Sequence, residues 1–123
     1  MSGLTRETGE TRVRIELGGA DLAGGSGGPE PIGAGTSSIT TDDEFLTHML
    51  ITLARYARLP LAVEATGDLR HHLIEDVAIT LGTLLGRETP DTCARYGDAT
   101  VPMDDALVQA ALDGARPYVC RVR

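Results

Sequence analysis

An α+β fold is expected for this chain: a ββαβα half-unit with both helices on one face of a mixed sheet, followed by a C-terminal strand pair. Three observations predict it. Residues 11–17 (Thr-Arg-Val-Arg-Ile-Glu-Leu) alternate strictly, with Val13, Ile15 and Leu17 on one face, as a half-buried strand requires. Two later segments repeat their apolar residues at helical spacing, and a short aliphatic run, Leu61 to Ala65, lies between them. Strands interleaved with amphipathic helices build an open sheet covered on one side.

The first strand leads into residues 18–35, which hold eight glycines and two prolines. Such a stretch forms no packed element and is expected to be a flexible connection. It carries neither the GxxxxGK[ST] spacing nor the strand-then-helix context of a phosphate loop. A second strand is expected near Thr36 to Thr40. Thr41-Asp-Asp-Glu44 then fits a capping box at the start of a helix. Leu46, Met49, Leu50, Leu53 and Ala57 would form its core face, and Pro60 closes the helical region. Leu61 to Ala65 reads as the third strand. Gly67-Asp68 turns the chain into a second helix ending near Gly82 or Gly86, with Val77, Ala78, Leu81 and Leu85 as its core stripe. Residues 1–88 therefore make the ββαβα unit and 89–123 an added strand pair within a single domain. Within the added pair, Ala94 to Val101 and Tyr118 to Val122 read as strands and Pro102 to Leu107 as a turn or short helix. Val108 to Leu112 fits either strand or helix.

At 123 residues the chain is long enough for one hydrophobic core, which must be aliphatic because it holds one Phe, three Tyr and no Trp. A net charge of −7 without a basic cluster argues against a nucleic-acid surface. No apolar run approaches the roughly 20 residues that span a bilayer. The opening residues lack a signal-peptide core. Two cysteines, Cys93 and Cys120, are too few for a disulfide framework or a thiolate metal site, so reduced thiols in a cytoplasmic protein are expected.

The chemistry concentrates in residues 67–77, where two of the three histidines stand side by side and a glutamate follows one turn later. At roughly 100° per residue, His71, His72 and Glu75 fall within an arc of about 100° on the helix. Imidazole with carboxylate suits Mn, Fe, Zn and similar divalent ions. By itself an HHxxE is a weak signal, and a surface or hydrogen-bonded histidine pair is the more frequent explanation. His48 lies about 200° from Leu46, off the expected core face of the first helix.

In order along the chain, Arg6-Glu-Thr-Gly-Glu-Thr11, Phe45-Leu-Thr-His-Met-Leu50, Gly67-Asp-Leu69 and His71-His-Leu-Ile-Glu-Asp-Val-Ala-Ile-Thr-Leu-Gly82 stand together with Arg95-Tyr-Gly97, Pro102 to Leu107 and Arg116-Pro-Tyr118. These resemble the segments RxTxET, FLDHML and GDL…HHTVEDVxxxLG, and those that follow them, of the imidazoleglycerol-phosphate dehydratases of histidine biosynthesis. The resemblance implies two ββαβα halves and a dinuclear manganese site, with His48, His71, His72 and Glu75 as ligands. It implies that Glu10 handles a proton, with Glu75 and His71 also in the catalytic set, and that Arg95 and Arg116 hold the substrate phosphate. A planar guanidinium fork suits that task. The implied partners are a phosphorylated imidazole and further copies of the chain, since sites drawn from both halves would be completed here in a homo-oligomer.

The chain departs from the pattern in several places. The family pattern carries a second HHxxE region in its C-terminal half, whereas these 123 residues hold one. Thr47 replaces an aspartate beside His48, Arg70 stands where acidic residues are usual, and Gly114-Ala-Arg-Pro117 lacks a serine. These departures motivate two other readings: a metal-binding relative without turnover, and a subunit that needs a separate partner chain.

Overall fold

The computed structural model describes residues 2–18 and 38–114, in two compact units, Met1–Pro90 and Asp91–Arg123. The glycine-rich stretch beyond Gly18 and the expected strand Tyr118 to Val122 lie outside the described residues.

In the first unit the elements run β1 (Ser2–Glu7), β2 (Thr11–Leu17), β3 (Ile39–Thr41), α1 (Glu44–Tyr56), β4 (Leu61–Gly67) and α2 (Arg70–Glu88). The sheet order is β1-β2-β4-β3, with β3 parallel to β4 and the other pairs antiparallel. β2 alternates as expected: Thr11, Val13, Ile15 and Leu17 are buried, while Arg12 and Arg14 point to the other face. In register, Ile15 faces Val63 and Val63 faces Ile39, so one row of branched side chains crosses the sheet beneath the helices. Leu50 and Ala54 of α1 and Leu73, Val77, Leu81 and Leu84 of α2 close over that row in one cluster. The helix-free face is polar and carries ion pairs, Arg12 with Glu7 and Arg14 with Glu16, both at 2.5 Å.

Several sequence expectations need correction. Strand β1 is not among the expected elements, because Leu4 is its one apolar side chain and no alternation announces it. The helix cap is Asp43, whose Oδ1 accepts from the Leu46 amide at 2.7 Å. Thr41 instead bonds Thr47 and the Asp43 backbone. On α1 the core-facing row is the i, i+4 series of half-buried Leu46 and buried Leu50 and Ala54. Met49, Leu53 and Ala57 are exposed, Met49 and Leu53 forming a second row with Phe45. The stripe of α2 is rotated from the one expected. Ala78 is exposed, whereas Asp76 and Thr80 are buried among the leucines because their polar atoms find partners there. Of the two expected ends, the one near Gly86 is observed: the helix closes at Glu88, and its packed residues Leu84 and Leu85 carry it past Gly82.

After α1 the chain reverses with Arg58 in the left-handed region (φ 53°). The Leu59 amide donates to Ala54 O at 2.9 Å, which ends the helix as a Schellman turn and drops Leu59 into the core. In the second unit, β5 (Tyr96–Met103) and β6 (Ala106–Asp113) form an antiparallel hairpin through the two-residue turn Asp104-Asp105. Asp104 supplies the positive φ of that turn (52°), which a short polar side chain tolerates. Residues 108–112 thus belong to a strand, and the second strand of the pair is β6.

Candidate functional site

Strand register brings three turns to one end of the first unit's sheet. Thr11 faces Gly67 and Thr41 faces Ala65, so the β1–β2, β3–α1 and β4–α2 connections lie together. Hydrogen bonds cross-link them: the Asp68 amide donates to Glu10 O at 3.0 Å, and the Gly67 amide to Asp42 Oδ2 at 3.1 Å. Arg70 Nε pairs with Asp43 Oδ2 at 2.6 Å, so this cation beside the histidines already has its counter-ion. Gly67 sits at a close approach, where an added Cβ would lie 3.1 Å from Thr11 Cγ2 and 3.2 Å from Leu73 Cβ.

The first turn of α2 delivers the histidines to this end. His72 Nδ1 lies 3.0 Å from Asp68 Oδ1 and 3.5 Å from Glu10 Oε2. The Asp68 hydrogen bond, aided by the charges of Glu10 and Glu75, raises the His72 pKa above its ordinary value, and the same bond lowers that of Asp68. The His71 ring packs against His72 at 4.1 Å between centroids. His71, Glu75 and, on α1, His48 are exposed. Glu10, drawn from a turn some sixty residues away in sequence, is therefore brought to His72. Among the described residues, no three histidine, cysteine or carboxylate side chains converge as a metal site requires. Imidazole and carboxylate are donor types that suit a divalent ion. Thr47 bonds Thr41 at 2.8 Å and leaves His48 without that neighbour as an orienting partner.

A hollow of about 420 Å³ opens beside Glu10, lined also by Thr8, Thr11, Asp42 and Gly67. A larger one, about 620 Å³, lies on the helix-free sheet face among Arg12, Arg14 and Glu64, away from the histidines. The smaller hollow is the one that adjoins the chemistry.

Beneath the turns lies a buried network that the residue pattern did not single out. Asp76 accepts from Arg6 Nε at 2.9 Å and from the Thr11 hydroxyl. The Thr11 hydrogen bond, with Arg6 behind it, holds the Asp76 carboxyl below its usual range. One signal was present: Thr11 has the parity of Val13, Ile15 and Leu17, so a hydroxyl had to stand on the buried face.

In the second unit, the Arg95 fork meets Asp113 (Nε–Oδ1 2.9 Å, Nη2–Oδ2 3.2 Å), and its cation lies 5.0 Å from the Tyr96 ring centre. Arg116 lies outside the described residues.

Comparison with known proteins gives a consistent result. A family profile described as imidazoleglycerol-phosphate dehydratase matches residues 41–123. The imidazoleglycerol-phosphate dehydratase of Methanococcoides burtonii is 43% identical over 94% of this chain and 58% of its own length. That of Methanothermobacter thermautotrophicus is 46% identical over 93% and 56% respectively. The crystal structure of IGPD from Pyrococcus furiosus superposes with a TM-score of 0.72 at 38% identity, covering 89% of this chain and 53% of that one. The chain thus spans about half the length of the curated relatives it matches.

Proposed function

Because the chain belongs to the imidazoleglycerol-phosphate dehydratase family, we propose that it dehydrates imidazole-glycerol phosphate to imidazole-acetol phosphate in histidine biosynthesis, at sites completed between copies of the chain. The observation that carries this reading is the placement of Glu10 at 3.5 Å from His72, on the rim of a hollow that can admit a small substrate. The C–H bond to be broken has no adjacent carbonyl to acidify it, so a positioned base is needed. Glu10 is that base and takes the carbon-bound proton. Glu10 then passes that proton to the departing hydroxyl, which leaves as water, and the resulting enol becomes the ketone. His48, His71, His72 and Glu75 would hold the divalent ions, manganese in the family this chain resembles. Those ions supply Lewis acidity and a template for the imidazole ring. Asp68 fixes the His72 ring by accepting at Nδ1, which leaves Nε2 to face a ligand. Arg95 and Arg116 hold the phosphate. The exposed rows on the helices, Phe45, Met49 and Leu53 on α1 and Ile74 on α2, favour association with further copies. No described helix is long and apolar enough to cross a membrane, and a cytoplasmic setting suits the proposed pathway.

A second reading, a metal-binding relative without turnover, is favoured by the Arg95–Asp113 pair, since a phosphate would have to displace that carboxylate. A subunit that acts only with a separate partner chain is the third reading. The deciding experiment follows product formation with and without Mn²⁺ for the wild type and His71→Ala. Metal-dependent turnover that the variant loses is expected. A folded, metal-loaded wild type that forms no product sinks the dehydratase reading.

A further inference from the structure

We propose that Asp76 is the positioning residue for Glu10, acting through a hydroxyl relay of Thr11 and Thr8; its catalytic consequence rests on the dehydratase reading above. Asp76 is buried, with its side chain only 12% exposed, and faces the sheet rather than the solvent flank that carries His71 and Glu75. An ionised carboxylate only accepts, so the Thr11 hydrogen points to Asp76 Oδ2. The Thr11 oxygen is then left to accept from Thr8 Oγ1, 3.1 Å away. Thr8 Oγ1 in turn accepts from two amides, Glu10 at 3.1 Å and Thr11 at 3.0 Å. The order of donors therefore runs one way, from the Glu10 amide through two hydroxyls to a carboxylate on α2. Arg6 occupies the other carboxylate oxygen at 2.9 Å, which prevents Asp76 from turning away.

The relay links the two elements whose spacing matters. Glu10 sits in an exposed turn with no apolar anchor of its own. Its backbone is held at both ends, the amide by Thr8 and the carbonyl by the Asp68 amide at 3.0 Å. Asp76 is one helical turn beyond His72, so anchoring the turn to Asp76 sets the distance from Glu10 to His72. A base displaced by about 1 Å loses up to roughly a hundredfold in rate, which makes such an anchor worth a buried carboxylate.

The test uses Thr8→Ala, at an exposed position where no core packing is lost, Thr8→Ser, which keeps the hydroxyl, and Thr11→Val. Amide hydrogen exchange and turnover are read on the same preparations. In Thr8→Ala, exchange at the Asp68 amide is expected to speed by about tenfold while Ile15 and Val63 stay unchanged. Turnover at saturation should fall by roughly ten- to a hundredfold with KM nearly constant, in Thr8→Ala and Thr11→Val alike. Thr8→Ser should behave as wild type. Unchanged exchange at Asp68, equal acceleration in the core, or an undiminished kcat in Thr8→Ala overturns the proposal. A wild type without turnover refutes the dehydratase reading instead, and exchange alone then decides whether the relay holds the turn.

Discussion

His72 and Asp68 depend on each other's charge, and the sign of each shift fixes a pH window. The folded pKa of His72 is raised above 6.5, so its contribution is complete below that value and fades as pH rises through the raised one. The folded pKa of Asp68 is lowered from 3.8, so its contribution is present above 3.8 and is lost as pH falls through the lowered value. In chelator-containing buffer, Asp68→Asn should therefore lower the melting temperature most between about pH 4 and 6.5. The difference should shrink as pH climbs past the raised His72 value. A deficit that stays constant from pH 5 to pH 9 contradicts the pairing. At this scale spacing put the two histidines and Glu75 on one helix, as observed, while the approach of Glu10 to 3.5 Å from His72 came only with the fold. Asp68 as the partner of His72 was not legible, because a residue just before a helix reads first as part of its cap. Nor was Asp76: a carboxylate inside a leucine face looks like solvent until Arg6 and Thr11, from strands sixty-five and more residues away, are brought to it.

Elements were read most clearly where one physical signal dominated. Strand β2 has apolar residues at each inward position after Thr11, and its limits, Thr11 and Leu17, follow from alternation alone. Strand β1 has a mixed inward face, and only pairing with β2 makes it a strand. Periodicity rotates or widens the stripes of both helices because it counts exposed apolar residues as core. The true buried rows are narrower on α1 and partly polar on α2. Of the two glycines that pointed to a helix end, Gly86 lies near it, since α2 closes at Glu88, and tertiary packing of Leu84 and Leu85 carries the helix past Gly82. Both glycines are exposed, and an added Cβ meets nothing within 4 Å. Gly82→Ala should therefore stabilise the first unit by about 1 kcal/mol, seen as a higher urea midpoint with an unchanged slope. A destabilised Gly82→Ala would show that this side of α2 is packed against something.

Over the whole molecule, the first unit is held by pairings as distant as Thr11 with Gly67 and the second by one hairpin, and the family profile reaches across both. The fold class was legible because alternating and helical periods succeed one another in a recognisable order. What faces the histidines was not, since HHxxE spacing places donors on a helix without showing their surroundings. His48 on α1 and His71 and Glu75 on α2 are exposed, His72 is half-buried, and among the described residues they form no three-donor cluster. On the proposed account, the donors of one copy are completed by those of another.

Complementation between two inactive variants tests that claim most directly. His48→Ala and His71→Ala are each assayed for Mn²⁺-dependent dehydration alone, then unfolded, mixed and refolded together. Sites that combine His48 of one copy with His71 of another predict recovered turnover in the mixture, at roughly a quarter of the wild-type level if copies assort at random and the sites are independent. Wild type that is active under the same refolding protocol, while the mixture stays as inactive as its parents, would place both histidines in one chain's site and contradict the account.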